Sequence, residues 1–216
     1  MLENLKAPPS LREMAFQAIK NAILSNKLEP GKTYTEFGLA KELGISKTPV
    51  REALGDLAGK GFVTVLPRRG IRVNALTPKD IRNLYEFRTA LETAIIRHIT
   101  PELTEESIKG LRIIQEKENA AIRDEDSMRY LKIDRELHLF LASLTQNQYM
   151  ISALEQVRDL IDWMGAKALM RKTRILEVRD EHIKIIQMLK KRDTGEAIKM
   201  MDEHIQITME NVLQNV

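Results

Sequence analysis

Strand signals in this 216-residue chain are confined to two short β-prone runs, FVTVL at 62–66 and IRVNA at 71–75, and they vanish after Leu76-Thr77-Pro78. Alternating apolar and β-branched residues favour strands, whereas apolar residues recurring every three to four positions favour helices. Everything beyond residue 78 follows the second pattern. The expected fold is therefore mainly α, with a small mixed unit at 1–76 and a larger all-α helical bundle at 77–216.

Within the first unit, Leu11, Met14, Ala15, Ala18, Ile19, Ala22 and Ile23 make one helical stripe, predicting a helix to about Asn26, before Pro30-Gly31. A second helix fits Thr35 to Leu43, with Thr35 as N-cap and Gly44 supplying a left-handed turn. The stretch ISKTPVREALGDLAGKGF predicts a third. Ser46 or Thr48 can cap it, Pro49 suits its first turn, and Val50, Ala53, Leu54 and Leu57 form its apolar stripe. The two β-prone runs, joined by Pro67, Arg68, Arg69 and Gly70, then read as a hairpin with a basic tip. Three helices and a hairpin in this order are the layout of a winged helix-turn-helix.

Charge supports that reading. Residues 1–76 hold 12 Lys+Arg against 7 Asp+Glu, and the remainder 22 against 24, so the basic excess lies where a polyanion would be met. Ser46, Lys47, Thr48 and Arg51 cluster at the start of the third helix and suit phosphate contacts and base-edge reading. The Arg51 fork can take O6 and N7 of a guanine together. Arg68, Arg69 and Gly70 form a wing tip able to approach the minor groove or backbone. Phe37-Gly38, on the second helix, has no evident purpose in this scheme.

The absence of cysteine rules out disulfides and thiolate ligands, so any metal must be held by nitrogen and oxygen. No run approaches the roughly 20 apolar residues of a membrane span, and the N-terminus lacks a signal-peptide core. A cytoplasmic protein without a membrane partner is expected.

The second unit predicts helices at roughly 78–98, 104–123, 126–144, 148–170, 173–191 and 194–213, with Thr77/Asp80 and Asp193 or Thr194 as helix starts. It holds all four histidines. Asp134 and His138, at i and i+4, share a helix face. His182 and His204 fall in the repeated tetrapeptide DEHI, on two helices that would face each other as an antiparallel hairpin. Asp134, His138, His182 and His204 could thus converge inside the bundle on a divalent cation, with Zn, Ni, Mn and Fe all compatible with such donors. His98 has no matching role and reads as structural or surface. Arg88 and Glu92 could pair at i, i+4 on a helix surface.

Residues 11–74, through LAKELGISKTPVREAL, GFV and PRRGIRV, resemble the winged-helix domain of the GntR family of bacterial transcription regulators. The helical remainder, with LYEFRTALE, the Asp134/His138 pair and the two later histidines, is similar to the FCD-type effector domain of that family's FadR-like branch. The resemblance implies a homodimer on a roughly palindromic double-stranded operator, with Ser46, Lys47, Thr48, Arg51 and Gly70 as DNA contacts. It also implies a metal held by the aspartate and three histidines, and a small carboxylate metabolite anchored by Arg88. Two positions depart from the family: Lys47 stands where arginine is usual, and Phe37 where some members have a DNA-contacting arginine.

The function expected is that of a transcription regulator, a repressor relieved by a small organic acid bound near the metal. Two alternatives carry different chemistry: a regulator for which the metal is signal or structural brace, and a helical metalloenzyme. The helix with Asp162-Trp163-Met164 could line either the pocket or a dimer interface.

Overall fold

The computed structural model describes residues 8–168 and 172–214, without the side chains of 164–172. The chain divides into two compact units, Met1–Ala75 and Leu76–Val216.

The first unit contains α1 (Leu11–Leu24), β1 (Thr33–Tyr34), α2 (Glu36–Leu43), α3 (Lys47–Gly59), β2 (Val63–Leu66) and β3 (Gly70–Val73). Ser10 and Glu13 close a capping box at the start of α1, satisfying amides that have no partner inside the helix. The helix stops at Leu24, short of the expected Asn26, which instead takes a left-handed conformation (φ 56°). Ala15, Ile19 and Ile23 of α1 are buried, as are Val50, Ala53, Leu54 and Leu57 of α3, the helix it packs against. Gly44 ends α2 in the left-handed region (φ 67°), which turns the chain into α3.

The hairpin is part of a three-stranded antiparallel sheet of order β1-β3-β2. β1 was not expected, because two residues are too few to show alternation. It gives Gly70 an internal reason to be glycine. At φ 106° a Cβ there would lie 2.1 Å from the Tyr34 carbonyl oxygen of β1. Gly70→Ala should therefore destabilise the first unit by about 2–3 kcal/mol through strain and lost β1 pairing, read as a lower denaturation midpoint of its transition. An unchanged midpoint would mean β1 is dispensable.

The second unit is helical throughout its described residues: α4 (Pro78–Glu102), α5 (Glu105–Arg123), α6 (Ser127–Ser143), α7 (Gln148–Ala168), α8 (Lys172–Lys191) and α9 (Thr194–Leu213). The expected end of α7 at 170 lies outside the described residues. Thr77 and Asp80 form the capping box of α4. That helix outruns its expected end at 98 and carries Pro101 in its last turn. Arg192 donates to the Pro101 and Leu103 carbonyls, satisfying acceptors at the helix end. α4 packs chiefly on α9, α8 on α9, α5 on α6 and α6 on α7, around a core of Ile, Leu and Val. Among the described residues no helix is long and apolar enough to cross a membrane.

Candidate metal centre and nucleic-acid interface

In the first unit Ser46 takes the N-cap position of α3, but its hydroxyl accepts no capping hydrogen bond. Ser46, Lys47, Thr48 and Arg51 are all exposed around the first turns of α3. Arg51 is not a free fork: its Nε and one terminal nitrogen both donate to Glu36 Oε2, at 3.0 and 2.8 Å. Arg68 and Arg69 are exposed at the wing tip, and Arg68 adopts φ 63° so that the chain can turn between β2 and β3.

In the second unit the hairpin of α8 and α9 brings the two later histidines together. Asp193 caps α9 by accepting from the Glu196 amide, while its own amide donates to the Met188 carbonyl and closes α8. His182 and His204 each lie eleven positions from Asp193, so antiparallel packing sets them opposite one another. α6 adds Asp134 and His138 one turn apart. The potential ligand atoms of Asp134, His138, His182 and His204 all lie within 4.8 Å of one another, and all four side chains are buried. His98, by contrast, is exposed on α4.

Three glutamates from three other positions hold the rings. His138 Nδ1 bonds Glu92, His182 Nδ1 lies 2.7 Å from Glu118 Oε1, and His204 Nδ1 lies 2.7 Å from Glu181 Oε2. A proton on each Nδ1 donates to its carboxylate, which leaves the Nε2 lone pairs for a ligand. Among the described residues, the buried His182 and His204 Nε2 atoms have no hydrogen-bond partner. Such atoms are costly to leave bare, and a cation receiving them would remove that cost. The donor set of three imidazoles and one carboxylate therefore fits a divalent first-row metal.

The electrostatics are set by burial and by neighbouring charges. Burial pushes the Asp134 carboxyl up, but the buried Arg158 guanidinium outweighs it and holds it below the usual range. Glu92 is held low in the same way, by Arg88 and by the hydrogen bond it accepts from His138. Burial carries His138 down to about 3 and His204 down to about 4, so both stay neutral. At His182 burial is outweighed by Glu118, which raises it.

A stability change with pH follows for the protein without its cation. Below the unfolded value of about 6.5, the unfolded chain protonates two histidines that the fold keeps neutral, so stability falls as the pH falls. His182, raised, opposes this only weakly, since both states protonate it there. Between pH 6.5 and 5 the helical unit should lose on the order of 2–3 kcal/mol, read as a falling denaturant midpoint. A flat midpoint would mean that these rings are protonated in the fold.

Beside the histidines lies a small cavity of about 20 Å³, room for roughly one water molecule. Arg88, Arg158 and Arg174 line it, each no more than 3% exposed. Arg88 does pair with Glu92, at 2.6 Å, but the expectation of a surface pair is wrong, because Tyr85, Arg88, Glu92 and Ile96 share the inward stripe of α4. The other Arg88 arm lies 3.2 Å from His138 Nε2. Arg158 pairs with Asp134, and Arg174 with Glu181 at 2.5 Å. Asp162 lines the same cavity; the side chain of Met164 lies outside the described residues. Among the described residues the buried Nε atoms of Arg158 and Arg174 have no hydrogen-bond partner.

Comparison with known proteins places this architecture. Residues 83–207, more than half of the chain, match the FCD domain family, and residues 11–73 match the bacterial regulatory proteins of the gntR family. The chain belongs to the GntR family. Among its relatives, the Nta operon transcriptional regulator of Aminobacter aminovorans is 28% identical over 199 residues, covering 88% of this chain and 89% of that one. The gluconate operon transcriptional repressor of Bacillus subtilis is 26% identical, covering 90% and 82%. The fold is shared with E. coli McbR/YncC at a TM-score of 0.78 and 21% identity, covering 96% of this chain and 99% of the other. The GntR-family protein is thus a transcriptional regulator and not an enzyme, which removes the metalloenzyme alternative.

Sequence reasoning missed Glu118 and Glu181 as partners of the histidines, and Arg158 and Arg174 as walls of the cavity. A signal existed for Glu118: it falls on the buried stripe of Leu111, Ile114 and Ala121.

Proposed function

We propose that this regulator binds a roughly palindromic operator as a homodimer, through Ser46, Lys47, Thr48 and Arg51 of α3 and the Arg68-Arg69-Gly70 wing. Its operator affinity is set by a small organic acid bound beside a divalent cation in the helical unit. The observation that carries the reading is the convergence of Asp134 with three imidazoles, each backed by a glutamate. Four ligands leave one or two positions open on an ion that accepts five or six, and the bound ion would supply a Lewis-acidic seat for a carboxylate.

Arg88, at the rim of the histidines, would pair with the acid group. The Nε–H groups of Arg158 and Arg174, without hydrogen-bond partners among the described residues, ask for acceptors, so an acid bearing hydroxyl or carboxylate oxygens suits this lining better than a plain fatty acid, with room for it made by a shift of the helices around the small cavity. A hydroxy acid such as gluconate, named in the operon of one relative, is the first compound to test. Binding that favours one packing of α4, α8 and α9 over another by roughly 1–3 kcal/mol would suffice for a switch. Relief of repression by the acid is the expected sign.

The second reading, that the cation alone is the signal, is favoured by the completeness of the ligand set. One titration separates the two. Operator affinity of the full-length protein is measured metal-stripped, metal-loaded, and metal-loaded with gluconate, lactate or succinate. An effect of an acid only on metal-loaded protein supports effector control; a full effect of metal alone supports a metal sensor. No effect of either would refute control through this site.

A further inference from the structure

Phe37 is 63% exposed, whereas Phe62 of the same unit is fully buried. It is the second residue of α2, and Lys47, the first residue of α3, sets its ammonium 5.1 Å from the ring centroid. Glu36, immediately before it, holds the Arg51 guanidinium of α3. The first turns of α2 and α3 are thereby tied into one exposed surface of Glu36, Phe37, Lys47 and Arg51. Both of its cations are already held, one by an aromatic face and the other by a carboxylate.

An exposed ring gains by leaving water only where it meets apolar surface. In the major groove, where the start of a recognition helix lies, the distinctive apolar group is the C5-methyl of thymine. We propose that Phe37 is a specificity-determining residue that covers a thymine methyl in each half-site, while Lys47, held against the ring, is aimed at the neighbouring phosphate. The ring restricts a side chain that would otherwise lose much rotamer freedom on binding. The Glu36 clasp on Arg51 leaves that arginine less free to dominate base reading, which shifts discrimination toward the Phe37 position. This role for Phe37 rests on the proposed operator contacts of α3 and stands apart from the metal centre.

The test starts from DNA selected out of a random pool by the full-length protein. Each thymine of the selected site is then replaced by uracil, which removes only the methyl group. For one thymine per half-site, uracil should weaken wild-type binding about fourfold, the equivalent of roughly 0.8 kcal/mol for one buried methyl group. Phe37→Ala should bind thymine and uracil forms alike, and Phe37→Leu should keep part of the difference. Because the ring is exposed, both variants should melt like the wild type. Three results would overturn the proposal: a wild-type protein that selects no sequence, no thymine whose methyl matters more to wild type than to Phe37→Ala, or an equal loss on both forms, which would put the ring against the sugar-phosphate backbone.

Discussion

Replacing His204 by alanine is expected to weaken divalent-cation binding by more than roughly a hundredfold, beyond the 10–100-fold typical of losing an outer partner of a ligand. The reason is geometric. His204 offers one of four potential ligand atoms within 4.8 Å of one another, and among the described residues its buried Nε2 has no hydrogen-bond partner. Its ring is already aimed, because Glu181 holds Nδ1 at 2.7 Å, so its loss cannot be made good by a small shift of the neighbours. Glu118→Gln should fall in the milder range, since an amide oxygen still accepts from the His182 ring but no longer makes it more basic. Competition between metal-stripped protein and a chromophoric chelator measures both. Equal affinities for wild type and His204→Ala would remove His204 from the site.

The second large effect is on stability. Arg158 and Asp134 form a buried ion pair, with side chains 2% and 7% exposed. Removing one member strands the other, so Arg158→Met should cost about 3–5 kcal/mol in metal-stripped protein. Asp134 is also a candidate ligand, and a bound cation would meet the carboxylate that the arginine has left. Much of the loss should therefore return on adding nickel or zinc, as a larger metal-induced rise in denaturation midpoint for the variant than for wild type. A loss of the same size with and without metal would show that Asp134 does not face the cation.

The helical unit was legible where period and punctuation coincide. The Thr77/Asp80 box and the Asp193 cap mark true helix starts, and the two DEHI segments, equidistant from Asp193, set His182 against His204 once α8 and α9 turn back on each other. The i, i+4 spacing of Asp134 and His138 put both on one buried face of α6. What was not legible depends on contacts between distant segments. Arg88–Glu92 has the spacing of an ordinary surface pair, and only the packing of α4 on α9 buries it. Glu92 and Glu118 reach their histidines across 46 and 64 positions of sequence. In the first unit β1 escaped because two residues carry no period, and with it the reason for Gly70.

The most direct test of the central claim is anomalous diffraction from crystals of the full-length protein grown with zinc and measured on both sides of the zinc edge. The account predicts one strong peak per chain, about 2.0–2.2 Å from Asp134 and from the Nε2 atoms of His138, His182 and His204. A peak elsewhere, or none at these four side chains, would contradict it.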